Sequence, residues 1–319
     1  MQHTKEETIR PKLLDEFIGQ TNLKTNLQIF IDAAKNRQES LDHILFYGPP
    51  GLGKTTLSFI IAKEMQSNIK ITSGPALSKA ADVNAILTNL KKGDILFIDE
   101  IHRLPIAVEE ILYTAMEDFA LDIMIGVGSG AKTVRVQLAK FTLIGATTRL
   151  GLLSAPLRDR FGIMHRLEMY NIHELTDILK RAANLLLLNA KDEALAEIAI
   201  RSRGTPRIAI RILKRVRDFI EMENNKILEK DFTLLVLEKI KIDTYGLDDN
   251  DHRYLNFIIN NYYNQAVGID TIASGILEKK DTIEDTIEPY LIQIGFLNKT
   301  SKGRILTQKA INHILKENN

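Results

Sequence analysis

The 319-residue sequence has no cysteine and no tryptophan. Without thiols, disulfides, thiolate zinc sites and cysteine nucleophiles are all excluded, and a reducing compartment is acceptable. A charge excess is missing too: 42 basic and 41 acidic side chains leave a net charge of +1. Duplex-binding proteins often carry a large positive surplus, so any nucleic-acid contact here has to come from local patches. Apolar runs such as Ile95 to Ile98 and Leu185 to Leu188 are far too short to span a bilayer. The segment Met1 to Arg10 is polar and charged with no apolar stretch behind it, so no secretory signal is expected. The expectation is a cytoplasmic protein with no membrane partner. What is present, 45% hydrophobic and 26% charged residues, describes a folded chain of two or three domains.

Its first half alternates short apolar runs with helix-period segments. His43 to Tyr47, Ile95 to Ile98 and Phe141 to Ala146 are bounded by glycine or charge, as parallel strands buried on both faces are. Thr55 to Met65 and Val108 to Met116 read as helices between them, which predicts an α/β sheet with helices on both faces. From about Asn171 the apolar positions repeat only at helical spacing (Leu175, Ile178 and Leu179; Leu195, Ile198 and Ala199; Ile208, Ile212 and Leu213). This predicts a small helical unit ending near Lys241, with a linker around Asp243 to Asp251. The last segment reads as three helices, the third opened by a capping box at Thr282 and Asp285. A polar turn follows, Asn298 to Arg304, between Phe296-Leu297 and Ile305-Leu306, and the whole describes a winged helix. The expected domains are 1–170, with a β-hairpin insertion over 121–138, then 171–242 and 243–319.

Gly48-Pro49-Pro50-Gly51-Leu52-Gly53-Lys54-Thr55 fits the GxxxxGK[ST] loop at every fixed position, after a strand and opening a helix. Its glycines let backbone N–H groups turn toward a phosphate chain, and the helix N-terminus adds partial positive charge. Lys54 is expected to reach the β- and γ-phosphates, and the Thr55 hydroxyl to ligate Mg²⁺. Ile95 to Ile98 ends in Asp99-Glu100, two acids at the tip of a buried strand that folding alone explains poorly. In a nucleotide site Asp99 holds the metal's water shell and Glu100 polarises the attacking water. Further on, Ala146-Thr147-Thr148-Arg149 offers a polar strand tip to sense a γ-phosphate. Pro156-Leu157-Arg158-Asp159-Arg160-Phe161 offers either surface ion pairs or an arginine finger for a neighbouring subunit.

Together GPPGLGKTTL (48–57), LFIDEIHRL (96–104), LIGATTR (143–149), PLRDRFG (156–162) and GTPR (204–207) resemble AAA+ ATPases, and among them the RuvB family of Holliday-junction branch-migration motors. The likeness runs from Arg10-Pro11-Lys12 and Phe17-Ile18-Gly19-Gln20 to Glu288-Pro289-Tyr290-Leu291-Ile292-Gln293. It implies an AAA+ P-loop NTPase core, a helical lid and a C-terminal winged-helix domain. By resemblance Ile9, Arg10 and Tyr170 lie at the adenine and ribose, while Gly51, Gly53, Lys54, Thr55 and Thr56 hold the phosphates of ATP and Mg²⁺. Asp99, acting on the metal through water, and Glu100 form the Walker B pair, Thr148 is the first sensor, and Arg207 reads the γ-phosphate from the lid. Arg160, or its neighbour Arg158, is the finger; the motif favours Arg160. Glu117-Asp118-Phe119 would touch a nucleotide across the subunit boundary.

Alternation of Ile123, Ile125 and Val127, a Gly128-Ser129-Gly130 turn, then Val134, Val136 and Leu138 predict the hairpin. Its apolar face either packs on its own domain or stands exposed; the resemblance implies that it docks RuvA. Lys299, Lys302 and Arg304 on the wing are either merely solvated or lie along a phosphate backbone. The family pattern there resembles Arg-Thr-Pro-Arg-Gly-Arg; Lys299-Thr300-Ser301-Lys302-Gly303-Arg304 keeps the charge but loses two guanidinium forks and a proline. The basic helix with Arg211, Lys214, Arg215 and Arg217 reads as a solvated face. The resemblance thus implies a hexameric ring that hydrolyses ATP to move double-stranded DNA through Holliday junctions. RuvA and the RuvC resolvase are its implied partners, in recombination, repair and the SOS response. The alternatives are a clamp-loader-like or protein-remodelling AAA+ ATPase, a two-core DNA helicase, or a winged-helix transcription factor with a nucleotide switch.

Overall fold

The structure, a computed structural model, describes residues 9–125, 132–223, 227–263 and 265–317. The described chain divides into two compact units, residues up to Leu187 with Gly204–Ile210, and Leu188–Arg203 with Arg211 onward.

In the first unit, β1 (Ile44–Tyr47), β2 (Ile69–Ser73), β3 (Ile95–Asp99), β6 (Thr142–Thr147) and β7 (Ile163–Arg166) form one parallel sheet in the order β2-β3-β6-β1-β7. The three central strands are the three apolar runs of the sequence, and β6 is buried along its whole length. The outer two were not evident from the sequence because an edge strand keeps one side wet. Ile69–Ser73 mixes apolar with polar residues and has no fully buried position, and Ile163–Arg166 alternates in burial. Parallel register sets Tyr47 level with Thr147, and Ile98 level with Gly145. The tips of three neighbouring strands therefore share one edge, where ligands of open α/β sheets bind.

His43 fastens the opposite end of this core. Its Nδ1 accepts from the Leu143 N–H at 2.9 Å, which leaves the proton on Nε2 to face the Met116 carbonyl at 3.1 Å. Burial holds its pKa below the ordinary imidazole range. One neutral ring thus ties β1, β6 and the helix Ile106–Glu117 together.

The hairpin is a separate two-stranded sheet, β4 (Ala120–Ile125) against β5 (Lys132–Gln137), with Ile123 paired to Val134 and Leu121 to Val136. Both packings expected from the sequence occur in it. Leu121 is buried and Ile123 packs against the core cluster, whereas Val134 is 42% and Met124 73% exposed. Val127 and the Gly128-Ser129-Gly130 turn lie outside the described residues.

The second unit holds lid helices Asp192–Ile200 and Lys230–Lys239, most of Pro206–Met222, and the C-terminal elements. Those are helices Asp249–Tyr262 and Ile269–Ile276, a helical stretch over 280–293, the antiparallel hairpin β8 (Leu297–Thr300) and β9 (Gly303–Leu306), and a last helix Gln308–Glu317. Two readings are corrected here. The helix expected to open at Thr282 opens at Lys280 instead, and residues 283–287 form a π-turn inside it. The linker read over Asp243 to Asp251 is shorter, since a helix begins at Asp249, and the loop before it is a hydrogen-bonded staple. Asp243 Oδ1 accepts from the N–H groups of Tyr245 and Leu247 at 2.8 and 2.7 Å, and its Oδ2 lies 2.7 Å from His313 Nε2. An Asp/Gly-rich stretch satisfies both patterns, so composition alone cannot tell a loop from a staple.

Candidate nucleotide site and wing

The loop after β1 is built for close approach. Gly48, Gly51 and Gly53 have φ of +133°, +80° and +108°, a region that L side chains enter at a cost of ~1–2 kcal/mol. A Cβ on Gly48 would stand 2.6 Å from the Leu167 carbonyl, and one on Gly51 2.7 Å from Thr205. The Phe17 ring closes on Gly53, and the Tyr170 hydroxyl donates to the Leu52 carbonyl at 3.1 Å. Tyr170 is buried, which raises its phenol pKa. Ile9 is buried too, its carbonyl accepting from Arg181 at 2.5 Å, while Arg10 is exposed.

Lys54 opens the helix Lys54–Glu64 with Gly53 as its N-cap, and Thr55 and Thr56 fill its first turn. Lys54 is 8% exposed, and its ammonium donates to the Gly48 and Pro49 carbonyls at 2.7 Å each. Burial lowers its pKa to about 8; the Asp99 carboxylate opposes the shift and Arg207 adds to it. Those two charges therefore already act on the lysine. Asp99 ends β3, and one residue on Glu100 sits in the left-handed region at φ +48°, its carboxylate 2.9 Å from Arg103. Such a conformation in a non-glycine residue stores ~1 kcal/mol or more and aims the side chain off the strand. On β6, Thr147 is buried with its hydroxyl 2.9 Å from His102 Nδ1, whereas Thr148 is exposed beside the start of the loop. The Arg207 N–H meets the Gly51 carbonyl at 3.4 Å. One sheet edge thus collects the glycine cradle, one ammonium, two carboxylates, a threonine and an arginine. The residues fit a metal-bound triphosphate: a glycine loop with left-handed backbone leading into a helix N-terminus, and an acid beside the lysine.

Arg160 belongs to a different cluster. It donates to the Pro156 carbonyl and pairs with Glu117, each at 2.8 Å, and its guanidinium lies 4.9 Å over the Tyr113 ring. Met116, Glu117, Asp159 and Arg160 line one cavity. The two segments that resemblance assigns to a neighbour's nucleotide, Arg160 and Glu117-Asp118, are therefore together. Asp118 pairs with Arg135 at 2.5 Å, and Phe119 packs edge-on against Phe141.

On the wing, Lys302 is exposed at the turn and Lys299 pairs with Glu284 at 2.9 Å. Of the two readings open for Arg304, simple solvation does not hold. Only 7% exposed, it is bonded to Glu288 through Nε at 2.7 Å and to Glu284 at 2.9 Å. Glu288 is itself 1% exposed, and a buried carboxylate needs such a partner. Arg304 reaches a phosphate only by giving up part of this pair.

Models of the Holliday junction DNA helicase RuvB match the chain in three parts: the P-loop domain over residues 9–167, the AAA lid over 170–243 and the winged helix over 244–315. The chain belongs to the RuvB family. Holliday junction branch migration complex subunits RuvB from Orientia tsutsugamushi and Neorickettsia sennetsu are 58% and 57% identical over 310 and 307 residues. These alignments span 97% and 96% of this chain and 95% and 93% of theirs. A structure described as the Thermotoga maritima RuvB Holliday junction branch migration motor superposes with a TM-score of 0.88 at 50% identity. It covers 97% of this chain and 98% of that one.

Within this RuvB family chain the sequence reading missed four supporting groups. His102, in the segment read only as a family motif, anchors Thr147. Glu109, 4% exposed, accepts from Ser154 at 2.5 Å, and Tyr113 stands 2.7 Å from Ser154 beneath Arg160. Glu288, quoted only as part of a motif, holds Arg304. Each supports a functional side chain from a distant part of the chain, so neither spacing nor periodicity signals it. Among the described residues no helix is long and apolar enough to cross a membrane.

Proposed function

We propose that this chain is a Mg²⁺-dependent ATP hydrolase that drives Holliday-junction branch migration as a hexameric ring. RuvA docks on its hairpin and RuvC is a further partner, in the cytoplasm. The observation that carries this is the single sheet edge bearing Lys54, Asp99, Glu100 and Arg207 in a chain that ends in a basic-turned winged helix. The domain division that goes with it is 1–170 for the ATPase core, 171–242 for the lid and 243–319 for the DNA-binding head.

Bound ATP and Mg²⁺ supply the cleavable phosphoanhydride and the charge that offsets it. The Gly51 and Gly53 backbone and Lys54 hold the phosphates, with Thr55 and, through water, Asp99 at the metal. Ile9, Arg10 and Tyr170 take the base and sugar, and Thr56 the phosphate next to it. Glu100 orients the attacking water, Thr148 senses the γ-phosphate, and Arg207 reports its loss through the lid. From the next subunit Arg160 meets the developing charge, and Glu117, Asp118 and Phe119 border the same nucleotide. Ile123, Ile125, Val127, Val134 and Val136 form the RuvA-docking hairpin, with Met124 as a further exposed contact. Lys299 and Lys302 lie along the DNA backbone, and Arg304 braces the strand beside them.

Migration of a synthetic four-way junction with ATP, with and without RuvA, tests the reading. ATP-dependent migration supports it; no migration in either condition by protein that hydrolyses ATP refutes it. DNA-stimulated hydrolysis separates a DNA motor from a protein-remodelling ATPase.

A further inference from the structure

Arg203 is the last residue of the second unit before Gly204, where the chain returns to the first. Its backbone is left-handed at φ +53°, and its side chain is only 9% exposed. Nε donates to the Gly246 carbonyl at 2.7 Å. The guanidinium forms a short ion pair with Asp251, stands 3.6 Å from Asp248, and lies 4.9 Å over the Tyr290 ring. Asp251 is 1% exposed, and its other role is to accept from the Asp248 N–H at 2.9 Å, inside the cap of helix Asp249–Tyr262. One lid side chain therefore grips the 243–248 staple and two helices of the winged helix. Next to it the backbones are locked as well: a Cβ on Gly246 would sit 2.3 Å from the Arg201 carbonyl.

A buried ion pair is weak evidence for stability, because desolvation offsets most of the attraction; its best-attested use is to fix one arrangement. Here the arrangement fixed is that of the lid turn after helix Asp192–Ile200 against the winged helix. Four residues along the chain is Arg207, the side chain proposed to read the γ-phosphate. We infer that Arg203 is a positioning residue that makes the lid and the winged helix move as one piece, so that displacement started at Arg207 arrives at the wing. This rests on the motor reading above. Without Arg203 the lid still responds to nucleotide but the head lags behind it.

The test compares Arg203→Gln, Arg203→Lys and Asp251→Asn with wild type in the full chain. Readouts are basal ATP hydrolysis, its stimulation by duplex DNA, and junction migration with RuvA. Coupling between sites is commonly worth about 5–150-fold. Arg203→Gln and Asp251→Asn should keep basal hydrolysis within about twofold of wild type while migration per ATP falls about tenfold and DNA stimulation is lost. Arg203→Lys, which keeps the charge but not the fork, should recover part of the ratio. Hydrolysis and migration falling in proportion, or neither changing, overturns the inference. Should Arg203→Gln fail to fold, the near-isosteric Asp251→Asn decides by the same ratio. If wild type hydrolyses ATP without migrating junctions, the motor reading fails, and DNA stimulation alone then judges Arg203.

Discussion

Raising the pH through 8 should weaken nucleotide binding through Lys54. The ammonium that must face a triphosphate is held in the protein by two carbonyls at 2.7 Å, and its pKa is lowered to about 8 from an ordinary 10.5. Roughly three-quarters of the lysine is then charged at pH 7.5 and about a tenth at pH 9. A phosphate's second ionisation lies near pH 6, so the nucleotide's own charge is nearly constant over this window. If only the charged lysine binds, affinity falls about eightfold between pH 7.5 and 9, and binding at pH 9 takes up about 0.9 proton. Calorimetry in two buffers of different ionisation enthalpy measures that proton directly. Stability carries the opposite sign. A depressed lysine pKa penalises the charged form in the fold, so the penalty, about 3 kcal/mol, is fully present below pH 8 and is relieved as pH rises toward 10.5. Weaker binding alongside a fold that gains from this group cannot be confused with alkaline unfolding. Flat affinity with no proton taken up at pH 9 would refute the reasoning.

Glu100→Gln should leave ATP bound while turnover falls about a hundredfold or more; retention and hydrolysis measured on one sample check it, and unchanged turnover would remove Glu100 from the water's side. Mixing Arg160→Ala with Lys54→Ala subunits should restore part of the ATPase lost by each alone, since a wild-type lysine and a wild-type finger then meet at some interfaces. No recovery at any ratio counts against a shared site. In the head, Glu288→Gln strips Arg304 of its buried charged partner and should cost about 3 kcal/mol in urea or thermal unfolding. A change below about 0.5 kcal/mol would mean that Glu284 suffices.

Local chemistry was what the sequence displayed best. The loop at Gly48 and the acids at Asp99 are written in consecutive residues, and the three central strands announce themselves because both faces are buried. The outer strands Ile69–Ser73 and Ile163–Arg166 were hidden by their wet side, and the staple at Asp243 by a composition that equally suits a loop. Support from afar stayed out of sight. His102 under Thr147, Tyr113 under Arg160 and Glu288 against Arg304 are pairs made by tertiary folding, and one sequence has no register in which to read them. Arg304 shows the cost of reading charge as exposure: its place between Lys302 and Leu306 looks solvated until the partner helix is known.

The near-zero net charge, silent about DNA at the outset, becomes informative on the wing. Lys299 and Arg304 both lean on Glu284 and Glu288, so two cations there are matched by two carboxylates and Lys302 adds one more exposed charge. On the motor reading proposed above, a wing of this charge should offer few phosphate contacts, each contributing about 0.9 to the logarithmic salt slope, and the wing alone is expected to hold duplex weakly. Weak binding suits a motor, because a head that advances DNA must also release it within each ATP cycle. The proposed ring resolves the apparent conflict with processivity. Several tethered heads keep the effective concentration of binding sites high while each individual contact stays short-lived. Restoring the family's arginines at Lys299 and Lys302 keeps the charge count and adds two guanidinium forks, so duplex affinity should rise while release slows.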